Sequence, residues 1–239
     1  GRRPRRSIIG AMRMTTLLTQ LPLVGLAACV QPLRMARDDS PEVLSRQLLD
    51  APNPADPGPL GVATLYYGRG DDRHRPEYRN SVRLKTGTVS VAKMAAGSTP
   101  AITKSRKKFW GFGLDSVPIN GRVWYPEGPG PFPLVLVVHG NHDMENFSDP
   151  GYGYLGTLMA SRGFIFVSVD ENFLNGNLRG ENDARGWMLL QHLKTWRGFN
   201  DSIGSPFYHR VDLQNIALMG HSRGGEAVAI AAAFNRLSH

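Results

Sequence analysis

The sequence feature that most constrains the fold is residues 215–237, where a short apolar run leads through Gly-His-Ser-Arg-Gly into an alanine-rich run. The apolar run, residues 216–219, predicts a buried strand, and the residues after Gly225 predict a helix. Ser222 then lies on a sharp strand-to-helix turn, the context that the G-x-S-x-G pattern requires. The flanking glycines fit, because side chains there would collide with the neighbouring strand or helix. The pattern favours a nucleophilic serine; the alternative is a glycine-rich loop in which Ser222 caps an ordinary helix.

The charge of the chain is unevenly distributed. The formal net charge of +8 suggests a nucleic-acid partner, but seven of the 28 basic residues lie within residues 1–37, which hold no acid. The rest of the chain carries 21 basic and 20 acidic residues, a net charge of +1. The basic excess belongs to the N-terminal leader, so we expect no nucleic-acid partner. The length of 239 residues and the apolar content of 41% suffice for one large or two small domains.

Residues 1–29 have the layout of a secretory signal peptide. A basic start is followed by an apolar run at residues 21–28, too short to span a membrane as a mature helix, and then by Cys29, the only cysteine. Leu-Ala-Ala-Cys at residues 26–29 resembles the lipobox of bacterial lipoproteins, and a lone cysteine does not suit a disulfide framework. The sequence predicts export, with a lipid anchor at Cys29. An ordinary signal peptide and a buried apolar helix with an incidental cysteine are the alternatives.

The leader is followed by a polar, proline-rich segment at residues 30–59, which predicts a tether. A folded domain is expected at residues 60–239. Its first part, residues 60–126, is expected to form antiparallel strands, and its second part, residues 134–239, a parallel core.

Two strands and a hairpin are predicted in the antiparallel part. The strands are expected at residues 60–67 and 82–91. The Asn-Gly pair at residues 120–121 lies between apolar runs, which is a strong signal for a hairpin turn. The arginine- and aspartate-rich residues 69–79 are expected to form a solvated loop.

The parallel part repeats a strand-helix order. Strands covered on both faces are predicted at residues 134–138, 164–169 and 216–219, and helices at residues 152–162, 183–196 and after 225. Asn182 or Asp183 is the expected N-cap of the second helix. This order predicts an α/β fold with a mostly parallel sheet and helices on both faces.

At residues 124–237 the chain resembles the first half of the α/β-hydrolase family. His-Gly-Asn-His at residues 139–142 follows the first parallel strand, where that family has its oxyanion loop. Gly-His-Ser-Arg-Gly-Gly at residues 220–225 is similar to the nucleophile elbow, the strand-to-helix turn that carries the serine, of several esterase groups. These are chlorophyllase-type, bacterial lipase, cutinase-like and platelet-activating-factor-acetylhydrolase-like esterases. The resemblance implies ester hydrolysis through a Ser-His-acid triad.

Carried over by position, the resemblance implies roles for individual residues. Ser222 would be the nucleophile, and the backbone amides of Asn141 and Arg223 would bind the oxyanion. The residues that shape the elbow and the oxyanion loop would be His139, Gly140, Gly220, His221 and Gly224.

The chain departs from this family after the serine. The family has its acid and then its histidine beyond the elbow. The 17 residues after Ser222 contain no Asp, one Glu (Glu226, within the predicted helix) and one His, His239. His239 would lie about 20 Å away, at the far end of the helix. We therefore expect an N-terminal fragment, truncated after the elbow helix and inactive by itself.

Other polar residues have simpler interpretations. His139 and His142 are candidates for the base, although the family loop usually uses its histidine structurally. Asp170 and Glu171 end a predicted strand and are expected to cap or hydrogen-bond a loop rather than to replace the triad acid. Residues 179–185 are expected to start a helix and form salt bridges. Because no metal-ligand spacing and no G-x-G-x-x-G after a strand occur, no metal or other cofactor is expected.

The function expected from the sequence is that of an exported, serine-type carboxylic ester hydrolase. Its substrate would be a lipid, a short-chain ester or a polyester, and membrane contact would come only through the anchor. The alternatives are a serine peptidase of the same fold, a non-catalytic surface lipoprotein that uses the fold as a binding module, and a haloperoxidase-like or lyase use of the scaffold.

Overall fold

The structure, a computed structural model, describes residues 41, 51–95, 99–176, 178 and 180–237. The predicted leader with Cys29, most of the tether and His239 lie outside the described residues. Residues 52–239 form one compact unit, which contains all the elements described below.

This unit contains strands and helices in alternation over its second half. The strands are β1 (Val62–Gly68), β2 (Val82–Lys85), β3 (Thr88–Val89), β4 (Val117–Pro118), β5 (Gly121–Pro126), β6 (Phe132–Val138), β7 (Ile165–Val169) and β8 (Val211–Gly220). The α-helices are α1 (Pro76–Asn80), α2 (Pro100–Trp110), α3 (Gly153–Ser161), α4 (Asn182–Asp201) and α5 (Arg223–Leu237), and short 3-10 helices cover Asp149–Tyr152 and Asn172–Leu174. Over the described ranges, none of the helices is both long and apolar enough to cross a membrane.

Six strands form one mixed sheet in the order β2-β1-β5-β7-β6-β8. β6 pairs in parallel with β7 on one side and with β8 on the other. β5 lies antiparallel to β1 and β7, and β2 runs parallel to β1. The predicted α/β fold with its mostly parallel sheet is confirmed. Because β6, β7 and β8 point the same way, the residues that follow them meet at one edge of the sheet.

Alternate side chains of β6 enter different cores on the two faces of the sheet. One core holds side chains of α4 and α5, and β6 contributes Leu134, Leu136 and Val138 to it. The other core holds side chains of α3, and β6 contributes Val135 and Val137. Both faces of the strand are therefore covered by helices, as its continuous apolar run predicted.

The predicted hairpin at residues 120–121 is wrong. β5 pairs with β1 and β7, whereas β4 pairs with β3 in a separate two-stranded sheet. Asn120 is buried, donates to Asp170 through its side-chain amide (3.1 Å) and accepts from the amide of Arg69 (3.2 Å). Neither residue of the pair has the positive φ that a type I′ turn requires. This polar anchor, formed with distant residues, overrides the local turn preference. The strand predicted at residues 82–91 is likewise divided into β2 and β3.

Helix α2 was not predicted, although its ends carry clear signals. The Thr99 side chain accepts from the amide of Ile102, and Pro100 occupies the first turn. Gly111 ends the helix in a left-handed conformation with φ 83°. The four basic residues of the helix obscured its apolar face, which consists of little more than Phe109 and Trp110.

Residues 69–79 are only in part the expected solvated loop: most are exposed, but Arg75 and Tyr78 are buried and belong to an ionic cluster. Arg75 is 2% exposed and forms ion pairs with Asp72, Asp149 and Asp170. Two of these acids come from segments more than 70 residues away, so the local charge density gave no indication that Arg75 is buried.

The cluster continues through Arg122, which pairs with Asp149 and Glu77. Burial and the neighbouring Asp170 raise the pKa of Asp149. Burial also raises the pKa of Asp170, but Arg75 and side-chain hydrogen bonds outweigh this effect and hold that pKa below its usual range. The cluster joins the segment after β1 to the carboxyl end of β7.

We expect Arg75→Met to lower the free energy of unfolding by about 3–5 kcal/mol, because it leaves buried carboxylates without their cation. Urea unfolding at neutral pH measures the change. Arg79→Met in the same segment is the control; Arg79 is exposed, and its loss should cost less than about 0.5 kcal/mol. Equal effects of the two substitutions would contradict the importance of the cluster.

Candidate active site

The connection between β8 and α5 has the geometry of a nucleophile elbow. β8 ends at Gly220 and α5 begins at Arg223, so Ser222 lies in a two-residue turn. Ser222 has φ 55°, a left-handed conformation that a side chain-bearing residue keeps only where its surroundings enforce it. An N-cap serine would have an extended backbone instead. The geometry therefore favours an elbow over a simple helix cap.

Glycines allow this elbow to lie against the loop that follows β6. A Cβ atom on Gly140 would come within 2.8 Å of the Cβ atom of Ser222, and one on Gly224 would overlap the carbonyl oxygen of Val138. The amide of His221 donates to the same Val138 carbonyl (3.1 Å). The two backbone segments thus touch directly, and a side chain at either glycine would push them apart.

The two amides expected to bind an oxyanion lie beside this contact. Asn141 follows Gly140 directly, and Arg223 follows Ser222. Within the described residues, the structure gives neither backbone amide a hydrogen-bond acceptor. The N-terminus of α5 lies here as well, and the positive end of the helix dipole favours a negative charge beside it. The arrangement is able to stabilise an anion that forms at the serine.

His139 is held in a way that leaves neither ring nitrogen free. Nδ1 donates to the carbonyl of Gly140 (2.8 Å), and Nε2 accepts from the amide of Glu171 (3.2 Å). Burial, assisted by the charge of Arg185, lowers the pKa of His139 to about 4. A neutral imidazole bonded in this way shapes the loop and is not placed to take a proton from Ser222.

The other histidines do not supply the base either. His142 and His221 are exposed, and His192 accepts a hydrogen bond from Tyr67 in the core (2.6 Å). In the part of the chain that the structure describes, none of them is hydrogen-bonded to Ser222. The described residues therefore bring together the serine and the two amides but not an imidazole.

Asp170 and Glu171 have different surroundings although both end β7. Asp170 belongs to the buried ionic cluster around Arg75. Glu171 is fully buried, lies 3.5 Å from a guanidinium nitrogen of Arg185, and has one carboxyl oxygen without a partner. Burial raises the pKa of Glu171 to about 8; Arg185 opposes this rise and Asp170 adds to it. Neither carboxyl group contacts a histidine side chain in the way that a triad acid does.

The salt bridges expected in residues 179–185 are present, although Arg179 lies outside the described residues. Glu181 is buried and pairs with Arg223, and Arg185 pairs with Glu171. The expected N-cap at Asn182 or Asp183 is wrong, because α4 begins at Asn182 and Glu181 holds the cap position. Its carboxylate binds Arg223 rather than the helix amides. Glu181 thus connects α4 to the residue that follows the serine.

Across the described ranges, no group of three or more His, Cys, Asp or Glu side chains is arranged to hold a metal ion.

The sequence gave no sign of two further residues beside the oxyanion loop, Asn175 and Arg106. Arg106 donates to backbone carbonyls, and Asn175 accepts hydrogen bonds through its own carbonyl and its side-chain amide oxygen. Contacts of this kind leave no pattern in a sequence.

Comparison with known families supports the hydrolase interpretation. A family model described as PETase, PET hydrolase-like, matches residues 84–238, about two-thirds of the chain. The match contains the oxyanion loop and the elbow. No curated protein matches the sequence.

The pKa values of two buried groups beside the site predict opposite pH effects on stability. Between pH 4 and 6.5, His139 takes up a proton when the chain unfolds, so its contribution to the free energy of unfolding rises with pH. Between pH 4.5 and 8, Glu171 loses a proton on unfolding, so its contribution falls as pH rises. Of these two groups, only Glu171 changes its contribution to the free energy of unfolding between pH 6.5 and 8.

We expect stability to decline by about 1–2 kcal/mol between pH 6.5 and 8, and Glu171→Gln to remove most of this decline. Gln keeps an oxygen that accepts from Arg185 but does not ionise. Urea unfolding at a series of pH values measures the slope, and Glu145→Gln at an exposed position is the control. An unchanged slope in Glu171→Gln would show that Glu171 does not titrate in this range.

Proposed function

Since this chain belongs to the PET hydrolase-like family of α/β-hydrolases, we propose that it is a serine-type carboxylic ester hydrolase that forms an acyl-enzyme on Ser222. The observation that carries the proposal is the backbone strain at Ser222, which is kept at a strand-to-helix turn in contact with Gly140. Strain of this kind persists at sites where it places a side chain for chemistry.

In the proposed reaction, Ser222 Oγ attacks the ester carbonyl while a general base removes its proton. The carbonyl oxygen becomes an oxyanion, and the amides of Asn141 and Arg223 donate to it. One such donor is typically worth about 3 kcal/mol of transition-state stabilisation. The alcohol leaves with the proton from the base, and the acyl group remains on the serine. Water then attacks the acyl-enzyme, the base takes its proton, and the acid is released.

We assign the general base to a histidine outside the described residues. His139 has both nitrogens engaged, and no other histidine of the described residues is hydrogen-bonded to Ser222. The acid partner of this histidine is assigned outside the described residues as well, because Asp170 and Glu171 are committed to Arg75 and Arg185.

Three classes of substrate fit this proposal: a lipid ester, a short-chain ester and a polyester. The description of the family names PET hydrolases, so an aromatic polyester film belongs in the substrate panel beside triglyceride and p-nitrophenyl esters. A serine peptidase would be recognised in the same panel by turnover of amides in preference to esters.

A second candidate, a non-catalytic binding module, is favoured by one observation. No histidine of the described residues is hydrogen-bonded to Ser222, and a serine without a base is not activated. This candidate predicts that replacing Ser222 changes no function of the protein.

We expect the protein expressed from its own gene to hydrolyse at least one ester of the panel and to react with a fluorophosphonate probe. Ser222→Ala should abolish labelling and reduce turnover at least about a thousandfold. Ser202→Ala, at an exposed serine after α4, should leave both unchanged.

Two outcomes would contradict the proposal. Folded protein from the native gene that neither labels nor turns over any ester would support the binding module. Turnover that survives Ser222→Ala would move the nucleophile to another residue.

We propose that the protein is exported and anchored to a bacterial membrane through a lipid on Cys29. The support is the lipobox-like sequence at residues 26–29 behind a short apolar run. One acyl chain binds membranes only marginally, whereas the several chains of a lipoprotein bind stably.

Cys29→Ser should move the protein from the membrane fraction to the soluble fraction. Membrane fractionation followed by immunoblotting measures the shift, and Met14→Leu in the same leader is the control, since it leaves the cysteine and the apolar run in place. Membrane retention of Cys29→Ser would exclude the lipid anchor.

A further inference from the structure

The oxyanion loop is held by the segment that follows β7. The amide of Glu171 donates to His139 Nε2 (3.2 Å) at one end of this segment. At the other end, the amide of Gly176 is shared between the side-chain oxygen of Asn141 (3.1 Å) and the carbonyl of His142 (2.8 Å). Residues 171–176, which we term the support loop, therefore fix both sides of the residue that donates to the oxyanion.

The support loop is itself held by Arg106 of α2. Its Nη1 donates to the carbonyl of Asn175 (2.6 Å), and its Nη2 donates to the carbonyl of Phe173. A guanidinium is a rigid, planar fork, so two bonds to carbonyls two residues apart fix the spacing of the loop. The carbonyl of Asn175 belongs to the residue that directly precedes Gly176.

Arg106 is an unusual residue to find in this position. It is 6% exposed, and no carboxylate of the described residues forms an ion pair with it. Burial and the nearby Arg185 lower the pKa of Arg106 to about 10, so it remains charged at neutral pH. The other basic side chains of α2, Lys104, Lys107 and Lys108, are exposed.

A buried cation without a carboxylate partner is expensive, and methionine would fill the same space at lower cost. The contacts of Arg106 go only to backbone oxygens of one loop. Its effect is therefore to fix that loop, and through Gly176 to fix Asn141. Gly176 has φ 86°, a conformation that leaves its amide aimed at Asn141 and that other residues adopt with strain.

We propose that Arg106 is a positioning residue for the oxyanion site, which acts through the support loop to orient the backbone amide of Asn141. Its catalytic consequence rests on the proposed ester hydrolase function. Its structural consequence, the ordering of the support loop and the oxyanion loop, does not depend on that function.

The structural arm of the test is hydrogen–deuterium exchange on the protein expressed from its own gene. In the wild type, a peptide that contains Gly176 should exchange slowly, because the Gly176 amide donates to the Asn141 side chain and to the His142 carbonyl. Arg106→Met should speed exchange of this peptide at least about tenfold, while peptides from β6 and α4 stay unchanged. Arg106→Lys should lie between, because an ammonium group reaches a carbonyl but lacks the planar fork. Lys107→Met is the matched control and should exchange like the wild type.

The kinetic arm separates positioning from general damage. Arg106→Met should lower kcat about tenfold with little change in KM, because the amide of Asn141 matters in the transition state and not for binding of the ground state. Affinity for a trifluoromethyl ketone, which forms an oxyanion on the serine, should fall by the same factor. Arg106→Lys should restore part of both losses, and Lys107→Met should lose neither.

The outcomes distinguish the two proposals. Unchanged exchange of the Gly176 peptide in Arg106→Met overturns the positioning role whether or not the protein hydrolyses esters. Faster exchange with unchanged kcat in a protein whose turnover depends on Ser222 also overturns it. Absence of Ser222-dependent turnover in the wild type defeats the ester hydrolase function, while the exchange data still decide whether Arg106 orders the loop. Where Arg106→Met does not fold, Arg106→Lys carries both arms.

Discussion

The structure of the site depends on the direct contact of two backbone segments at the carboxyl edge of the sheet. The loop after β6 and the turn after β8 approach so closely at Gly140 and Ser222 that no side chain fits between them. The contact is possible because β6 and β8 are hydrogen-bonded neighbours that end at the same level, with Val138 opposite Gly220. Register in the parallel ladder therefore sets the distance between the serine and the oxyanion loop, and the left-handed backbone of Ser222 follows from it.

Buried arginines fix the loops around this contact by two different means. Arg75 pairs with an ionised carboxylate, Asp170, which offsets part of the cost of burying both charges. Arg185 lies against Glu171, whose pKa is raised to about 8, and also donates to the side-chain oxygen of Asn175. Arg106 donates to carbonyl oxygens, which offset less of the cost of burying its charge. Buried ion pairs contribute little net stability when compared with apolar residues of the same size. What they provide is a single arrangement of the polar segments around the site. The support loop combines both kinds of anchor, since Phe173 and Leu174 pack in the core while its carbonyls bind Arg106.

The parts of the fold that sequence predicts are those that local patterns determine. The apolar runs of β6 and β7 mark strands covered on both faces, and the glycines around Ser222 mark a turn that needs close approach. The errors arise where distant partners decide. The local sequence at Asn120 predicts a hairpin turn, but the contact with Asp170 decides its position. The sequence around Arg75 predicts a solvated side chain, because two of its three acids come from distant segments. Arg106 left no pattern, since its partners are backbone carbonyls that every residue possesses.

The described residues separate two tasks that a serine hydrolase combines. In the proposed mechanism, placing Ser222 and stabilising an oxyanion require only backbone geometry, which β6, β8 and the support loop would supply without the general base. Proton transfer requires an imidazole, which can come from any part of the protein as long as it reaches Ser222. Serine hydrolases that lose their triad retain part of their rate enhancement from the oxyanion hole and from binding. By the same reasoning, the backbone strain at Ser222 and the hydrogen bond that holds Asn141 arise from the loops at the carboxyl edge of the sheet. Neither depends on the general base.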